Sequence, residues 1–345
     1  MRQSEVLKES AKLTDSQKET IRKTVMGMIQ VNDNLNSCIP EVCPVCGAEH
    51  VRFYRRDIHG KKRRWCCSKC RHKFTYDSHT ITSNLKIGTD VFVQICMDTL
   101  DMVPIRKTAE KPDISVQCVF NNRHKFLSLL AEILQKEEVL MTGTIEGDET
   151  YVLESTKGSN PENRKSRHRG GHSDKRGISH DQICIVTTTD RNGHEIFRAV
   201  GSAKPTTSII DDLLAKHIEK GAIMYVDGAA CCNDLSKKAE CKVKHLIGHE
   251  SYNKVEHLNT VNSIHSMIRR NYAFYCGVAT EYLNRYMALF LFMRRLKDMD
   301  SRKKTETLIG TIKWFHCHIT RESLKEQHLL VLMPVIKVLI PIWVN

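Results

Sequence analysis

Long apolar runs are missing from this 345-residue chain, and that absence sets the first limits on its function. No uninterrupted apolar run reaches about 18 residues, the length that crosses a bilayer, so we expect no membrane span and no membrane partner. The first ten residues are polar and charged and lack the apolar core of a signal peptide, so secretion is not expected. In a reducing compartment the 14 cysteines are expected to be thiols or metal ligands rather than disulfides.

Acidic residues are in the minority. The chain has 40 Asp and Glu against 53 Lys and Arg, which gives a formal net charge of +13. Such a balance attracts polyanions, either nucleic acid or an acidic membrane surface. Charge alone does not choose between the two.

The length predicts two or three domains, and the patterning divides the chain into five segments. Residues 142–295 read as three strands followed by helix, strand, short helix, strand and helix, which predicts a mixed α/β domain. The predicted strands are 144–153, 182–188, 195–200, 222–227 and 242–247, and the two longer helices are 206–220 and 259–272. A helix is also predicted over residues 16–30. The segments are a polar helical lead at 1–40, a cysteine-rich basic module at 41–76, a helical segment at 85–138, the α/β domain at 142–295 and a C-terminal tail at 296–345.

Two Cys-x2-Cys pairs lie in the basic module, which has ten Lys and Arg against three acids over residues 41–76. Each pair can hold one side of a tetrahedral Zn²⁺, and a β-hairpin between the pairs would close the site. The predicted ligands of this structural zinc ribbon are Cys43, Cys46, Cys67 and Cys70. Cys66 competes with Cys67, but only Cys67 completes a pair. The alternative is a set of reduced cysteines in a small core.

The helical segment contains a pattern typical of a helix-turn-helix. A short helix, a turn and a longer helix capped by Ser115 span residues 105–123, with Ala109 where the helices cross. Ile114 and Val119 are predicted to fill the core between them. The residues predicted to face a DNA groove are Gln117, Asn121, Arg123 and Lys125. An ordinary three-helix packing unit is the alternative.

Acidic residues of the α/β domain form the third pattern. Asp148 lies on a predicted strand and shares its face with Glu146 and Thr150. Asp227 ends a second strand. Asn262 lies on a predicted helix whose polar stripe comprises Asn259, Asn262, Ser266 and Arg269, opposite an apolar stripe of Val261, Ile264 and Ile268. Carboxylates from two strands together with a helix ligand are what Mg²⁺ needs beside a phosphate, so Asp148, Asp227 and Asn262 are predicted to bind magnesium.

A long basic loop interrupts this domain. Residues 157–176 carry seven Lys and Arg against two acids and show no apolar periodicity. Loops of this length inside a compact domain are usually functional or disordered. The residues predicted to contact DNA phosphates are Arg164, Lys165, Arg167 and Arg169.

Together these motifs resemble the insertion-sequence transposases of the ISXO2-like family. The resemblance covers about residues 41–295 and rests on CPVCG with CSKCRHKF, on EGDETYV, on RGGHSDKRGIS, on YVDG, and on HLNTVNSIHSMIRR with GVATEYLNRY. It implies an RNase H-like, retroviral-integrase-like α/β catalytic domain preceded by a zinc ribbon and a helix-turn-helix. The C-terminal sequence LLVLMPVIKVLIPIWVN does not resemble the family, and its role stays unassigned together with that of residues 1–40.

The resemblance also implies roles. Asp148 and Asp227 take the two catalytic carboxylate positions, and Asn262 takes the third, where the family carries Glu or Asn. Arg269 stands where the family usually has Lys, which keeps the charge but changes its geometry. Catalysis would use Mg²⁺ or Mn²⁺, with structural Zn²⁺ in the ribbon. Double-stranded DNA, as element ends and target, would be the partner of a homodimer or larger assembly in the bacterial cytoplasm, associated with the nucleoid.

Two other functions fit the same motifs. Asn262, Arg269 and the unusual tail allow a zinc-ribbon and helix-turn-helix DNA-binding regulator derived from an inactive transposase. An RNase H-type nuclease that cuts DNA without joining it is the third alternative. Metal-dependent nicking separates the regulator from the other two, and strand joining separates the transposase from the nuclease.

Overall fold

The computed structural model describes fourteen stretches of the chain, divided into two units at Arg123 and His124. The helix predicted at 16–30 and residues 298–345 of the predicted tail lie outside the described residues. The described stretches are 42–49, 53–59, 62–75, 78, 80–83, 85–136, 139–158, 165, 171, 173, 175–227, 232, 234–247 and 255–297.

The first unit begins with a small antiparallel sheet. Its strands, in the order β1-β2-β3, are β1 (Phe53–His59), β2 (Lys62–Cys67) and β3 (Lys73–Phe74). Trp65 and Phe74 are buried together with Cys43 and Cys67, so aromatic packing supports the cysteine turns. Gly47 has φ +64°, a backbone conformation that glycine adopts without steric cost.

Three helices complete the part of the first unit that is described. They are α1 (Thr89–Leu100), α2 (Ile105–Glu110) and α3 (Val116–Lys136), the last of which continues into the second unit. Ile95, Ala109 and Val119 form their buried core, and Ile114 packs against it. The Cys118 amide donates to the Ser115 hydroxyl at 3.1 Å, which is the predicted cap. These contacts confirm the predicted core positions of Ala109, Ile114 and Val119, and the helix-turn-helix assignment stays a prediction.

The second unit is built on a five-stranded mixed sheet. Its strands are β4 (Thr144–Leu153), β5 (Gln182–Asp190), β6 (Glu195–Ser202), β7 (Ile223–Val226) and β8 (Lys242–His245). The order is β6-β5-β4-β7-β8; β4, β5 and β6 are antiparallel, and β7 and β8 run parallel to β4. Three antiparallel strands extended by two parallel ones form the expected RNase H-like sheet.

Helices accompany the sheet. They are α4 (Thr207–Leu214), α5 (Leu235–Lys238), α6 (Asn259–Phe274) and α7 (Leu283–Arg295). Ile210 and Leu214 of α4 pack on one face of the sheet with Ile145 and Met224, in a cluster whose members are at most 7% exposed. In a separate cluster, Val261 of α6 packs with Tyr225, Leu246 and Leu258. Among the residues placed by the structure, no helix combines the length and apolarity that a membrane crossing requires.

The helix predicted over 206–220 is too long. α4 ends at Leu214, and a single 3-10 turn follows at Ala215–His217. Ile218 is extended, with φ −111° and ψ 128°, and forms a parallel bridge with Met141. Backbone pairing with a segment distant in sequence therefore ends the helix where the local apolar pattern would continue it.

Candidate active site

Adjacent parallel strands bring the two predicted carboxylates to the same edge of the sheet. Asp148 follows Gly147 on β4, and Gly147 is paired with Val226, the last residue of β7. Asp227 comes directly after Val226, so both aspartates border one cleft, which residues of α4 help to line. A Cβ on Gly147 would meet the end of the flexible Met224 side chain, which would have to move aside.

Asp148 is held in an environment that disfavours its charge. Its side chain is 19% exposed, and Oδ1 accepts a 2.8 Å hydrogen bond from the Glu149 amide. Burial is the main cause that raises the pKa of Asp148 to about 6, and the negative charges of Glu149 and Asp227 raise it further. The Glu149 amide and the positive charge of Arg269 act in the opposite direction. A cation beside these carboxylates would relieve the same repulsion.

Helix α6 supplies the third predicted ligand. It begins at Asn259, as predicted, and its apolar stripe of Val261, Ile264 and Ile268 is fully buried. Asn262 and Arg269 are exposed on other faces. Arg269 reaches back to the sheet, where its Nη2 donates to Thr150 Oγ1 at 3.1 Å. The predicted separation of polar and apolar stripes is confirmed, with one exception.

His265 is that exception, and the sequence reasoning missed it. Its side chain is 3% exposed, with Nδ1 3.6 Å from Asp148 Oδ2 and with Nε2 buried and lacking a hydrogen-bond partner within the described ranges. Burial, followed by the charge of Arg269, lowers the pKa of His265 to about 4, so the imidazole is neutral at pH 7. The available signal was its spacing, three residues after Asn262 and four before Arg269, which puts all three on one side of the helix.

Divalent cations suit this group of residues. Asp148 and Asp227 border one cleft, and the charge of Asp227 helps to raise the pKa of Asp148. Asn262 lies three residues before His265, whose Nδ1 is 3.6 Å from Asp148 Oδ2. Oxygen donors of this kind are the ligands that Mg²⁺ and Mn²⁺ prefer. The residues present therefore fit the predicted cation.

Glu256, the other acid near α6, lies apart from this group. Its Oε1 is 2.6 Å from Lys244 Nζ and 3.5 Å from the Tyr225 hydroxyl. It precedes the first residue of α6, as the sequence predicted. The charge of Glu256 is therefore neutralised by its ion pair with Lys244.

The four predicted zinc ligands converge in the first unit. Their sulfur atoms all lie within 4.8 Å of one another, with Cys43 and Cys70 at 3.7 Å and Cys46 and Cys67 at 3.9 Å. Hydrogen bonds from the amides of Cys70 and Lys69 lower the pKa of Cys67 to about 7, whereas burial raises the pKa of Cys43 and, to about 12, that of Cys70. Cys67 therefore ionises most readily, and a bound cation would favour the other thiolates. Cys66 is turned away, and its sulfur is 3.4 Å from the Arg71 carbonyl. The set fits a four-thiolate Zn²⁺ site.

The predicted groove-facing residues of α3 divide into two groups. Gln117 is exposed and donates to Asn121 at 2.9 Å, so both amides lie on the outer face. The prediction that Arg123 faces a DNA groove is wrong. The residue is 3% exposed, and its guanidinium donates to the Val103 carbonyl at 2.8 Å. Arg123 lies one turn after the buried Val119 and so shares the core stripe, where it cannot face a groove. Lys125 is partly buried.

The basic loop is described only in part. Lys165 is exposed, whereas Arg164, Arg167 and Arg169 lie outside the described residues. At the start of the loop, Lys157 Nζ donates to the carbonyls of Tyr275 at 2.6 Å and Gly277 at 2.8 Å. These carbonyls follow the end of α6, where a cation also complements the helix dipole. Lys157 therefore fixes the base of the loop.

Comparisons with known proteins find similar sequences. Residues 140–295 match the family described as ISXO2-like transposase domain. An uncharacterized protein in transposable element ISH50 of Halobacterium salinarum is 27% identical over 278 residues, which are 78% of this chain and 90% of that protein.

Solved structures with weak similarity include two transposase complexes. The mariner Mos1 paired end complex with Mg has a TM-score of 0.27 and 14% identity, covering 72% of this chain and 82% of that one. The Drosophila P element transposase strand transfer complex has a TM-score of 0.29 and 10% identity, covering 67% and 64%. At these scores neither adds to what the sheet order of the chain itself shows. The similarity to the ISXO2-like transposase domain thus extends over residues 140–295 of this chain.

Proposed function

We propose that this transposase cuts the ends of its insertion sequence and joins them to target DNA at the site formed by Asp148, Asp227 and Asn262. The observation that carries the proposal is that adjacent strands β4 and β7 bring Asp148 and Asp227 together, with Asp148 3.6 Å from His265 of α6. These three residues would hold Mg²⁺ or Mn²⁺, which when bound activates a hydroxyl nucleophile and stabilises the leaving oxygen of a phosphodiester. Cutting and joining would use the same site in succession.

The side chains around the cleft have separate tasks. Asp148 and Asp227 supply negative charge, and a cation beside them would offset the burial that raises the pKa of Asp148 to about 6. Arg269, tied to Thr150, directs positive charge to the same side and would bind the DNA backbone. The neutral His265 lies against Asp148 without adding charge to the site.

Other parts of the chain would locate the DNA. The exposed amides of Gln117 and Asn121 are suited to reading base edges in a groove. The zinc ribbon and the basic residues Arg164, Lys165, Arg167 and Arg169 would bind phosphates and thereby position the element ends. Two ends must be cut together, so we propose that the working form is a homodimer or a larger homo-oligomer.

The experiment uses a labelled duplex carrying the inverted repeats that flank the reading frame, incubated with the full zinc-loaded chain and Mg²⁺ or Mn²⁺. The proposal predicts strand cuts at the repeat ends, joined products with a second duplex, and neither product without the divalent cation. Cutting without joining would identify a nuclease. Binding of the repeats by folded protein without any cutting would identify a regulator and overturn the proposal.

A further inference from the structure

Helix α6 carries the third ligand but has no cap of its own. The residue before its first turn is Leu258, which is 2% exposed and makes no capping hydrogen bond through its side chain. The first amides of a helix have no partner within the helix and need one from elsewhere. In α6 the Asn259 amide donates to His257 Nδ1 at 3.3 Å, and the partners of the next two amides come from the sheet.

Glu146 of β4 supplies those partners. Its carboxylate is 1% exposed and accepts from the Thr260 amide at 2.8 Å and from the Val261 amide at 3.1 Å. The Thr260 hydroxyl donates to the other oxygen at 2.8 Å. Arg191 Nη1 balances the charge at 2.9 Å. A buried carboxylate with this many donors is both neutralised and geometrically fixed.

The same strand contacts α6 at three successive levels. Glu146 binds the first turn, Asp148 lies 3.6 Å from His265 in the middle, and Thr150 accepts from Arg269 further along. Alternate strand residues are about 7 Å apart, close to the rise of four to five helical residues. The contacting residues of β4 and α6 are therefore spaced alike along the two elements. Asn262 lies on the first turn, immediately beyond the two amides that Glu146 holds.

We propose that Glu146 is a positioning residue for this reaction: by fixing the first turn of α6 to β4, it sets Asn262 relative to Asp148. This inference rests on the proposed function, and Glu146 itself need not touch DNA or cation. Residues that orient a metal ligand typically change metal affinity or activity 10- to 100-fold when they are altered.

Glu146→Gln is the sharpest variant because it keeps the size of the side chain. Thr260, Val261 and Arg191 all present donors, so the new NH₂ group must face at least one of them without an acceptor. The matched control is Glu195→Gln. Glu195 is a 5% exposed glutamate of β6 that binds Arg294 of α7 at 2.5 Å, so it also ties a helix to this sheet, but to one that carries no site residue.

Two measurements on the full zinc-loaded chain test the proposal. The first is hydrogen exchange of the Thr260 and Val261 amides. The second is Mn²⁺ binding at the proposed site, taken as the binding that is lost when Asp227→Asn is introduced into the same protein. We expect Glu146→Gln to speed this exchange and to weaken that Mn²⁺ binding by about 10-fold or more. Glu195→Gln should leave both within about twofold of wild type, even if it melts at a lower temperature.

The outcomes separate the inference from the proposed function. Unchanged exchange in Glu146→Gln would show that Glu146 does not hold α6. Faster exchange with unchanged Mn²⁺ affinity would make it a helix cap without influence on the site; either result overturns the proposal. If wild type binds no Mn²⁺ through Asp227, the proposed function fails, and the exchange rates alone then decide whether Glu146 fixes α6 to β4.

Discussion

At the residue scale, the burial of Asp148 opposes the charge that it needs to bind a cation. The pKa of about 6 means that the folded state holds its proton more tightly than the unfolded chain does. A carboxyl with a raised pKa contributes stability below its unfolded pKa, near 4, and loses that contribution as the pH rises through about 6. Without divalent cation, ionised Asp148 therefore destabilises the fold at neutral pH.

This gives a prediction for Asp148→Asn. In protein without added Mg²⁺ or Mn²⁺, the variant should be more stable than wild type at pH 7 and above, by at most about 3 kcal/mol for a shift of about two units. The advantage should shrink as the pH falls from about 6 to about 4, where wild-type Asp148 is protonated too. Melting curves across this range measure it, and a difference that is independent of pH would contradict the assigned cause.

Asn262 and Glu256 give the second prediction at this scale. A carboxamide oxygen can coordinate Mg²⁺ but adds no negative charge, so Asn262→Ala should severely impair cleavage and Asn262→Glu should retain measurable activity. Glu256→Gln should be nearly silent, because Glu256 is paired with Lys244 outside α6. Cleavage assays on correctly folded variants measure this. If Glu256→Gln is inactive while Asn262→Ala is active, Glu256 is the third ligand.

At the element scale, the zinc ribbon owes its form to its cysteines. Cys67→Ser should lose zinc and unfold the ribbon, because metal binding contributes directly to folding in such small modules. Cys66→Ser is the matched control, since the neighbouring sulfur points to the Arg71 carbonyl and lies outside the four-sulfur cluster. Zinc content and the tryptophan fluorescence of Trp65 report the two effects. Full zinc occupancy in Cys67→Ser would refute the ligand assignment.

Element boundaries followed from the sequence where local pattern decides them. The strand at 144–153 and the start of α6 at Asn259 agree with prediction, because alternation and helical periodicity are local signals. The end of α4 does not agree with prediction, because Ile218 pairs with Met141. Arg123 was placed outward from its charge, although its position one turn after Val119 favours the core. The contacts of Glu146 and His265 join distant segments, which no local pattern reveals.

At the scale of the whole molecule, the excess positive charge governs DNA affinity. Neutralising Arg164, Lys165, Arg167 and Arg169 together should flatten the slope of log affinity against log salt by up to about 3 to 4, if each releases one counterion. A control that neutralises four exposed lysines elsewhere should change the slope less; these are Lys204, Lys216, Lys220 and Lys237. Binding titrations at several salt concentrations measure this, and equal slopes for loop variant and wild type would remove the loop from the interface.

Base preference should separate from this electrostatic effect. Changing Gln117 and Asn121 to alanine should reduce discrimination between element ends and unrelated DNA while leaving the salt slope nearly unchanged, because amides contact bases and not phosphates. Competition binding with the two DNAs measures the ratio. An equal loss of affinity for both DNAs would indicate that these amides contact the DNA backbone and not the bases.

The most direct test of the account is metal-dependent cleavage of an element-end duplex by Asp148→Asn and Asp227→Asn, each compared with wild type and with Glu195→Gln. Both aspartates line the same cleft, so each variant should lose at least about 10²- to 10³-fold in rate, the scale of one lost preorganised electrostatic group. Glu195→Gln should cut at close to the wild-type rate. Wild-type cleavage by correctly folded Asp148→Asn or Asp227→Asn would contradict the assignment of this cleft as the catalytic site.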